Sequence, residues 1–179
     1  SWISGERSVY PKSSIYPPGT TSEEEKKQST ADMVKSQDKA ITAAVNYLQS
    51  HPEIMANSKS QGLERASQLD GEKISFKVGE TGGPSGGLVF SIGLVELLTE
   101  KDLLQGRHIA GTGTISERGV VGPIGGINEK IVSAQKVGAT LFFAPVDNAE
   151  EIGQIPDGIK VITVATLAQA INYLGRSSK

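Results

Sequence analysis

Residues 79 to 90 read GETGGPSGGLVF: five glycines and a proline around one serine, Ser85, with an apolar run following at once. Few folds accommodate such a stretch. Glycines permit backbone conformations closed to other residues, and the run from Ser85 to Leu98 has the length and content of a buried helix. The serine is therefore expected on a tight loop at a helix N-terminus. Three uses of that loop compete. It can be a plain Gly-rich turn. It can be an anion cradle, since free amides at a helix start bind phosphate; but no G-x-x-x-x-G-K-[ST] pattern is present, and Pro84 removes one amide. It can also seat a nucleophile, with the helix dipole and free amides facing an oxyanion.

The rest of the chain sets the context. Residues 1–30 are rich in turn formers, with Pro17-Pro18-Gly19 as a stop. Ser22 and Glu25 have capping-box spacing. A helix should follow, docking through Val34, Ile41, Ala44, Val45 and Leu48 and ending at His51-Pro52. Residues up to Lys73 form a polar connection, so 31–73 reads as helix plus connector and 74–179 as the main core of a single domain. ISFKV from Ile74 alternates like a strand. HIAGTGTI and VVGPIG read as short Gly-rich strands, ATLFFAP and KVITV as buried strands. Ile127 to Val137 is helical with Gly138 as its cap, and TLAQAINYL makes a last amphipathic helix. Strands and helices mix without a strict βαβ rhythm, which predicts an α+β or irregular α/β fold.

Composition removes several functions. With 179 residues the chain can bury a core without staples. A net charge of −2 without a basic run argues against nucleic-acid binding. The absence of cysteine excludes a thiol nucleophile and a Cys-type zinc site. No metal or cofactor is expected. The longest apolar stretch is too short to span a bilayer.

A serine nucleophile needs a base. Gly83-Pro84-Ser85-Gly86-Gly87 matches G-x-S-x-G, the elbow of Ser-His-acid hydrolases. That order needs an acid and then a histidine after the serine; the only histidine there is His108, with Asp102 the nearest acid before it, and both are too close to the elbow. A lysine serves instead if its amine is neutral, which desolvation favours. In GGINEKIVSAQKVG, Ile127, Ile131 and Ala134 share a helix face. Lys130 lies roughly 60° from that direction and Lys136 on the opposite side. Lys130 is either this base or a lysine whose stem packs while its head reaches water.

At this point the motifs together resemble a family. GGPSGG followed by GTGTISERGVVGPIGGINEKIVSAQKVGATLFFAP is similar to the proteolytic domain of Lon-type proteases, with their P-S-A-G serine, T-G-x-I strand end and P-I-G-G-x-x-E-K lysine. The resemblance covers roughly Ile74 to Leu174. It implies a Lon proteolytic domain-like (ribosomal protein S5 domain 2-like) fold and a serine endopeptidase with a Ser-Lys dyad. Ser85 matches the nucleophile, Lys130 the base and Thr112 the threonine that supports the lysine; the dyad members stand 45 residues apart, near the family's spacing. Loop residues Gly82, Gly83 and Gly86 would serve the oxyanion or substrate, through amides around Gly83 and Ser85. A peptide would bind extended beside ISFKV by strand addition.

IYPPGTTSEEE with MVKSQDKAITAAVNYL further resembles an ATP-independent, membrane-anchored bacterial subgroup that joins a PDZ module to a Lon-like domain facing out of the cytoplasm. Against that subgroup the membrane helix is missing, and Gln49 to Lys73 are too few for a PDZ fold. The membrane would then be reached only through segments absent from this chain. The partners implied are a protein or peptide substrate and other copies in a ring such as a hexamer. Gly86 replaces the family's alanine and should loosen the loop. A Lon-like scaffold that binds peptides without cleaving them is the alternative of another class; a His-dependent esterase is the remaining one.

Overall fold

The computed structural model describes residues 21–55, 83–99 and 102–176. The expected strand ISFKV, the Pro17-Pro18-Gly19 stop and Gly82 lie outside the described residues.

The first helix, α1, spans Ser22–Ser50. Its capping box is Thr21–Glu24 rather than Ser22–Glu25: the Thr21 hydroxyl accepts from the Glu24 amide at 3.3 Å, and the Glu24 carboxylate accepts from the Thr21 amide at 2.8 Å. The sequence TTSEEE offers three successive registers of the same box, so spacing alone could not choose among them. The bonds from the Thr21 backbone and hydroxyl hold the Glu24 carboxyl below its ordinary range. The helix thus begins inside the turn-rich residues 1–30. It ends at the His51 cap before a 3-10 turn, Pro52–Met55.

The face that α1 buries includes the expected Ala44 and Leu48, with Ile41 packed against the core, but it is shifted from the expected one. It is a stripe of small residues, Ser36, Ala40, Ala43 and Ala44, ending in Tyr47 and Leu48, while Val34 is 49% exposed. Close approach explains the choice. The second helix, α2, runs Gly87–Leu98 after a 3-10 turn, Pro84–Gly86. Its Ser91 hydroxyl donates to the Ala40 carbonyl at 3.2 Å, a contact that larger side chains on α1 would push apart.

Three parallel strands form the main sheet: β1 (Ile109–Gly111), β4 (Leu141–Pro145) and β5 (Lys160–Val164), in the order β1-β4-β5. A small antiparallel pair, β2 (Thr114–Ile115) with β3 (Val121–Gly122), stands beside it. Helix α3 (Ile127–Lys136) connects the hairpin to β4, and α4 (Leu167–Arg176) closes the described chain. After α3, Gly138 takes the left-handed position just past the cap, as expected. β4 is buried at every position because it is central. β5 is not: Lys160 and Thr163 are exposed, since it forms the sheet edge among the described residues. The fold is α+β.

Alternation along β4 divides the core in two. Phe143 joins the cluster under α1, α2 and α4, with Leu48, Leu88, Val95 and Leu174. Phe142 and Ala144 point the other way, against Ile127, Ile131 and Ala134 of α3. Helix α2, which follows Ser85, and helix α3, which bears Lys130, therefore cover opposite faces of one short sheet. They can meet only at its end, beyond Gly111.

Candidate active site

Ser85 sits in the 3-10 turn that opens into α2, and its main chain is held from several sides. Its carbonyl accepts from the Gly113 amide at 2.8 Å and from the Thr112 hydroxyl at 3.1 Å. Thr112 is only 3% exposed, and its amide donates to the Phe143 carbonyl at 2.9 Å, tying the pair to β4. On the other flank the Ser36 hydroxyl donates to the Pro84 carbonyl at 2.9 Å. Gly113 has φ 152°, and a Cβ there would lie 2.8 Å from Val121, so this position accepts only glycine. These anchors fix the serine backbone while its hydroxyl stays half-exposed.

Lys130 arrives from the opposite face of the sheet. Gly126, left-handed at φ 69°, turns the chain into α3, and the Lys130 amide donates to the Gly126 carbonyl. Ile127 and Ile131 anchor the helix in the core. From the stripe's edge the lysine side chain, half-buried, reaches the Ser85 hydroxyl with Nζ to Oγ at 3.4 Å. This is longer than an ordinary hydrogen bond, as dyads without substrate often are. Lys136 is exposed on the far side of α3.

The pair lies in a cleft of about 340 Å³ whose wall includes Ala110, Ala134 and Phe142 along with Glu129. A larger cavity, about 540 Å³ near Glu53, Asp102 and Arg176, holds neither Ser85 nor Lys130. Neither histidine lines the cleft: His51 stacks on Tyr47 with ring centroids 4.2 Å apart, and His108 lies beside Gly138. The Asp102 carboxylate accepts from the Gln105 amide. A Ser-His-Asp arrangement is not assembled around Ser85. Among the described residues no group of three His, Asp or Glu side chains is placed to hold a metal ion.

Two expectations change in detail. The Thr112 hydroxyl gives its bond to the Ser85 carbonyl, so its contact with the pair runs through the serine backbone rather than the amine. The Gly83 amide, expected to face an oxyanion, donates to the Ser29 carbonyl of α1 at 3.3 Å. The Gly87 amide is also engaged, by the Pro84 carbonyl. In the 3-10 turn Pro84–Gly86 the i to i+3 pattern gives the Gly86 amide the Gly83 carbonyl, so the Ser85 amide remains as the donor without an acceptor inside the turn. The space above Gly86 is filled too: a Cβ there would meet the Phe90 ring at 2.8 Å. Phe90 occupies the place of the methyl group, which the sequence did not reveal. Gly113 was also missed, although its place between Thr112 and Thr114 was visible.

A family model for the Lon protease (S16) C-terminal proteolytic domain matches residues 20–174. The chain is 40% identical over 78 residues to Lon protease 1 of Bacillus subtilis (strain 168), covering 44% of this chain and 10% of that protein. Over 83 residues it is 40% identical to the mitochondrial Lon protease homolog of Drosophila melanogaster, covering 44% of this chain and 8% of that protein. A Lon protease of Azospirillum brasilense is 34% identical over 95 residues, 51% of this chain and 12% of that protein. The matched part spans about a tenth of the length of these relatives.

Proposed function

We propose, from the premise that this chain belongs to the family of Lon protease (S16) C-terminal proteolytic domains, that it is a serine endopeptidase working by a Ser85–Lys130 dyad. The observation carrying this reading is the meeting of Lys130 Nζ and Ser85 Oγ in one cleft. In its neutral form the Lys130 amine accepts the Ser85 proton as the hydroxyl oxygen attacks the scissile carbonyl. The amide of Ser85 stabilises the resulting oxyanion. The protonated amine then gives its proton to the leaving amine, and the acyl-enzyme remains. Water deprotonated by the same lysine releases the acid and frees Ser85. Thr112 and Gly113 keep the serine backbone still throughout.

The finer parts of the proposal rest on the sequence. Cleavage without nucleotide is read from the likeness of IYPPGTTSEEE and MVKSQDKAITAAVNYL to the ATP-independent subgroup. The subgroup resemblance supplies the setting: an extracytoplasmic, membrane-anchored protein, with rings of this domain, a hexamer, as the working assembly. None of the described helices is long and apolar enough to cross a membrane.

The test is digestion of a mixed peptide library by wild type, Ser85→Ala and Lys130→Met, with and without ATP and magnesium, alongside sedimentation. Nucleotide-insensitive cleavage by wild type only, from an assembled species, is the expected result. Cleavage surviving in Ser85→Ala overturns the assignment. A rate that depends on ATP removes the subgroup, and activity from a monomer removes the ring.

A further inference from the structure

The dyad is built from opposite faces of the sheet, so something must fix one face against the other. Ser85 is referred to β4 through Thr112, whose amide bonds the Phe143 carbonyl. Lys130 is referred to the same strand by a second route. β4 runs directly into a 3-10 turn, Val146–Glu151, which carries Asn148. Asn148 is 0% exposed. Its side-chain amide donates to the Ile124 carbonyl at 2.9 Å, and its side-chain oxygen accepts from the Ile124 amide at 3.0 Å. One side chain thus pairs with both main-chain groups of one residue, as a neighbouring strand would. Ile124 is two residues before Gly126, the left-handed residue that starts α3, and Lys130 is one helical turn further on.

A reciprocal clamp closes the same gap. Asn128, in the first turn of α3, donates to the Glu151 carbonyl at 2.8 Å and accepts from the Gly153 amide at 2.9 Å. The two asparagines lock the start of α3 to the segment leaving β4 in both directions. Asn148 is the costly one. A fully buried amide satisfied on both sides leaves two main-chain groups unpaired when it is removed.

We infer that Asn148, seconded by Asn128, is a positioning residue that sets the reach of Lys130 toward Ser85. This rests on the dyad reading above. Neither side chain lines the cleft, so their loss acts on the amine's placement rather than on peptide binding. A small misplacement of a reacting group costs on the order of a hundredfold in rate. A side chain that only stabilised the fold would lower the melting temperature and leave the folded enzyme's chemistry alone.

The experiment measures the rate at which a fluorophosphonate labels Ser85 across pH, with thermal melting, in wild type, Asn148→Asp, Asn128→Ala and Lys130→Met. Asn148→Asp keeps shape and the acceptor for the Ile124 amide but loses the donor to its carbonyl. Asn128 is exposed, so Asn128→Ala keeps the proposal testable should the buried substitution prevent folding. The expected result is labelling slowed about tenfold or more in both asparagine variants, with a displaced pH profile, at temperatures where each is fully folded. Folded asparagine variants that label at the wild-type rate with the wild-type profile overturn the inference, provided Lys130→Met is slow. If Lys130→Met itself labels like wild type, the dyad reading falls and takes this inference with it.

Discussion

Lys130 Nζ stands 3.4 Å from Ser85 Oγ, across 45 residues of chain and from the opposite side of a three-stranded sheet. The Ser85 carbonyl, not its hydroxyl, carries the structural bonds to Gly113 and Thr112. Ser85→Ala should therefore lose peptide cleavage entirely while its stability stays within about 0.5 kcal/mol of wild type, the usual range for a substitution that removes no packing. A melting curve beside an activity assay checks both halves.

Thr112→Val replaces a buried hydroxyl by a methyl of similar size. The Ser85 carbonyl keeps its bond from Gly113, so it is not orphaned. A loss of about 1 kcal/mol in stability is expected, with cleavage reduced but measurable. Thr112→Ser should restore most of the rate, because it returns the donor. Full wild-type activity in Thr112→Val would show that this bond does not hold the serine in its working position.

Gly86→Ala restores the residue type of the family motif, yet its methyl collides with the Phe90 ring. The ring edge can swing, since Phe90 is half-buried. The single substitution should cost about 1 kcal/mol from overpacking, and the same change made with Phe90→Leu should cost clearly less. A double-mutant cycle on unfolding free energy reads the coupling. Additive effects would mean the ring does not fill that space.

Part of this arrangement was legible in the sequence. The pairing of Ser85 with Lys130 was legible from the likeness of GGPSGG and PIGGINEK to the Lon-type motifs; helix periodicity alone puts Lys130 at the edge of the face of Ile127, Ile131 and Ala134 and leaves it either a base or a packed lysine. The Ser-His-Asp alternative was weak because Asp102 and His108 follow too soon after Ser85, and neither residue lines the cleft that holds Ser85. What could not be read depends on contacts between distant segments. Val34 is apolar and in phase yet exposed, because the part of α1 whose Ala40 carbonyl meets Ser91 of α2 buries the small residues Ser36, Ala40, Ala43 and Ala44. The Gly83 amide was expected at an oxyanion from its place in the Gly-rich loop at a helix start; its acceptor is the Ser29 carbonyl, on another helix. Asn148 reads as an ordinary turn residue after a strand until Ile124 is seen beside it.

Tyr47 gives a prediction on stability alone. The residue is 7% exposed and its hydroxyl has no hydrogen-bond partner among the described residues. Burial, aided by the Glu53 carboxylate, pushes its phenol up to about 12. The folded state therefore prefers the neutral phenol. This contribution is fully present below the ordinary phenol value of about 10 and is lost as pH rises through about 12. Tyr47→Phe should be as stable as wild type or up to about 1 kcal/mol more stable at neutral pH. It should also lose less stability between pH 10 and 12. Denaturant titrations at several alkaline pH values test this; an equally steep loss in the variant would place the cause in another group.

The most direct measurement of the central claim is the pH dependence of peptide cleavage in wild type, Lys130→Met and Lys136→Met. Methionine keeps most of the lysine stem and its apolar contacts while removing the base. Only the neutral amine can take the Ser85 proton, so the wild-type rate should rise with pH. Lys130→Met should fold and not cleave at any pH, and Lys136→Met, altered on the exposed side of α3, should follow wild type. Cleavage by Lys130→Met with the wild-type rate and pH profile would contradict the account and leave Lys130 as a packed lysine beside the serine.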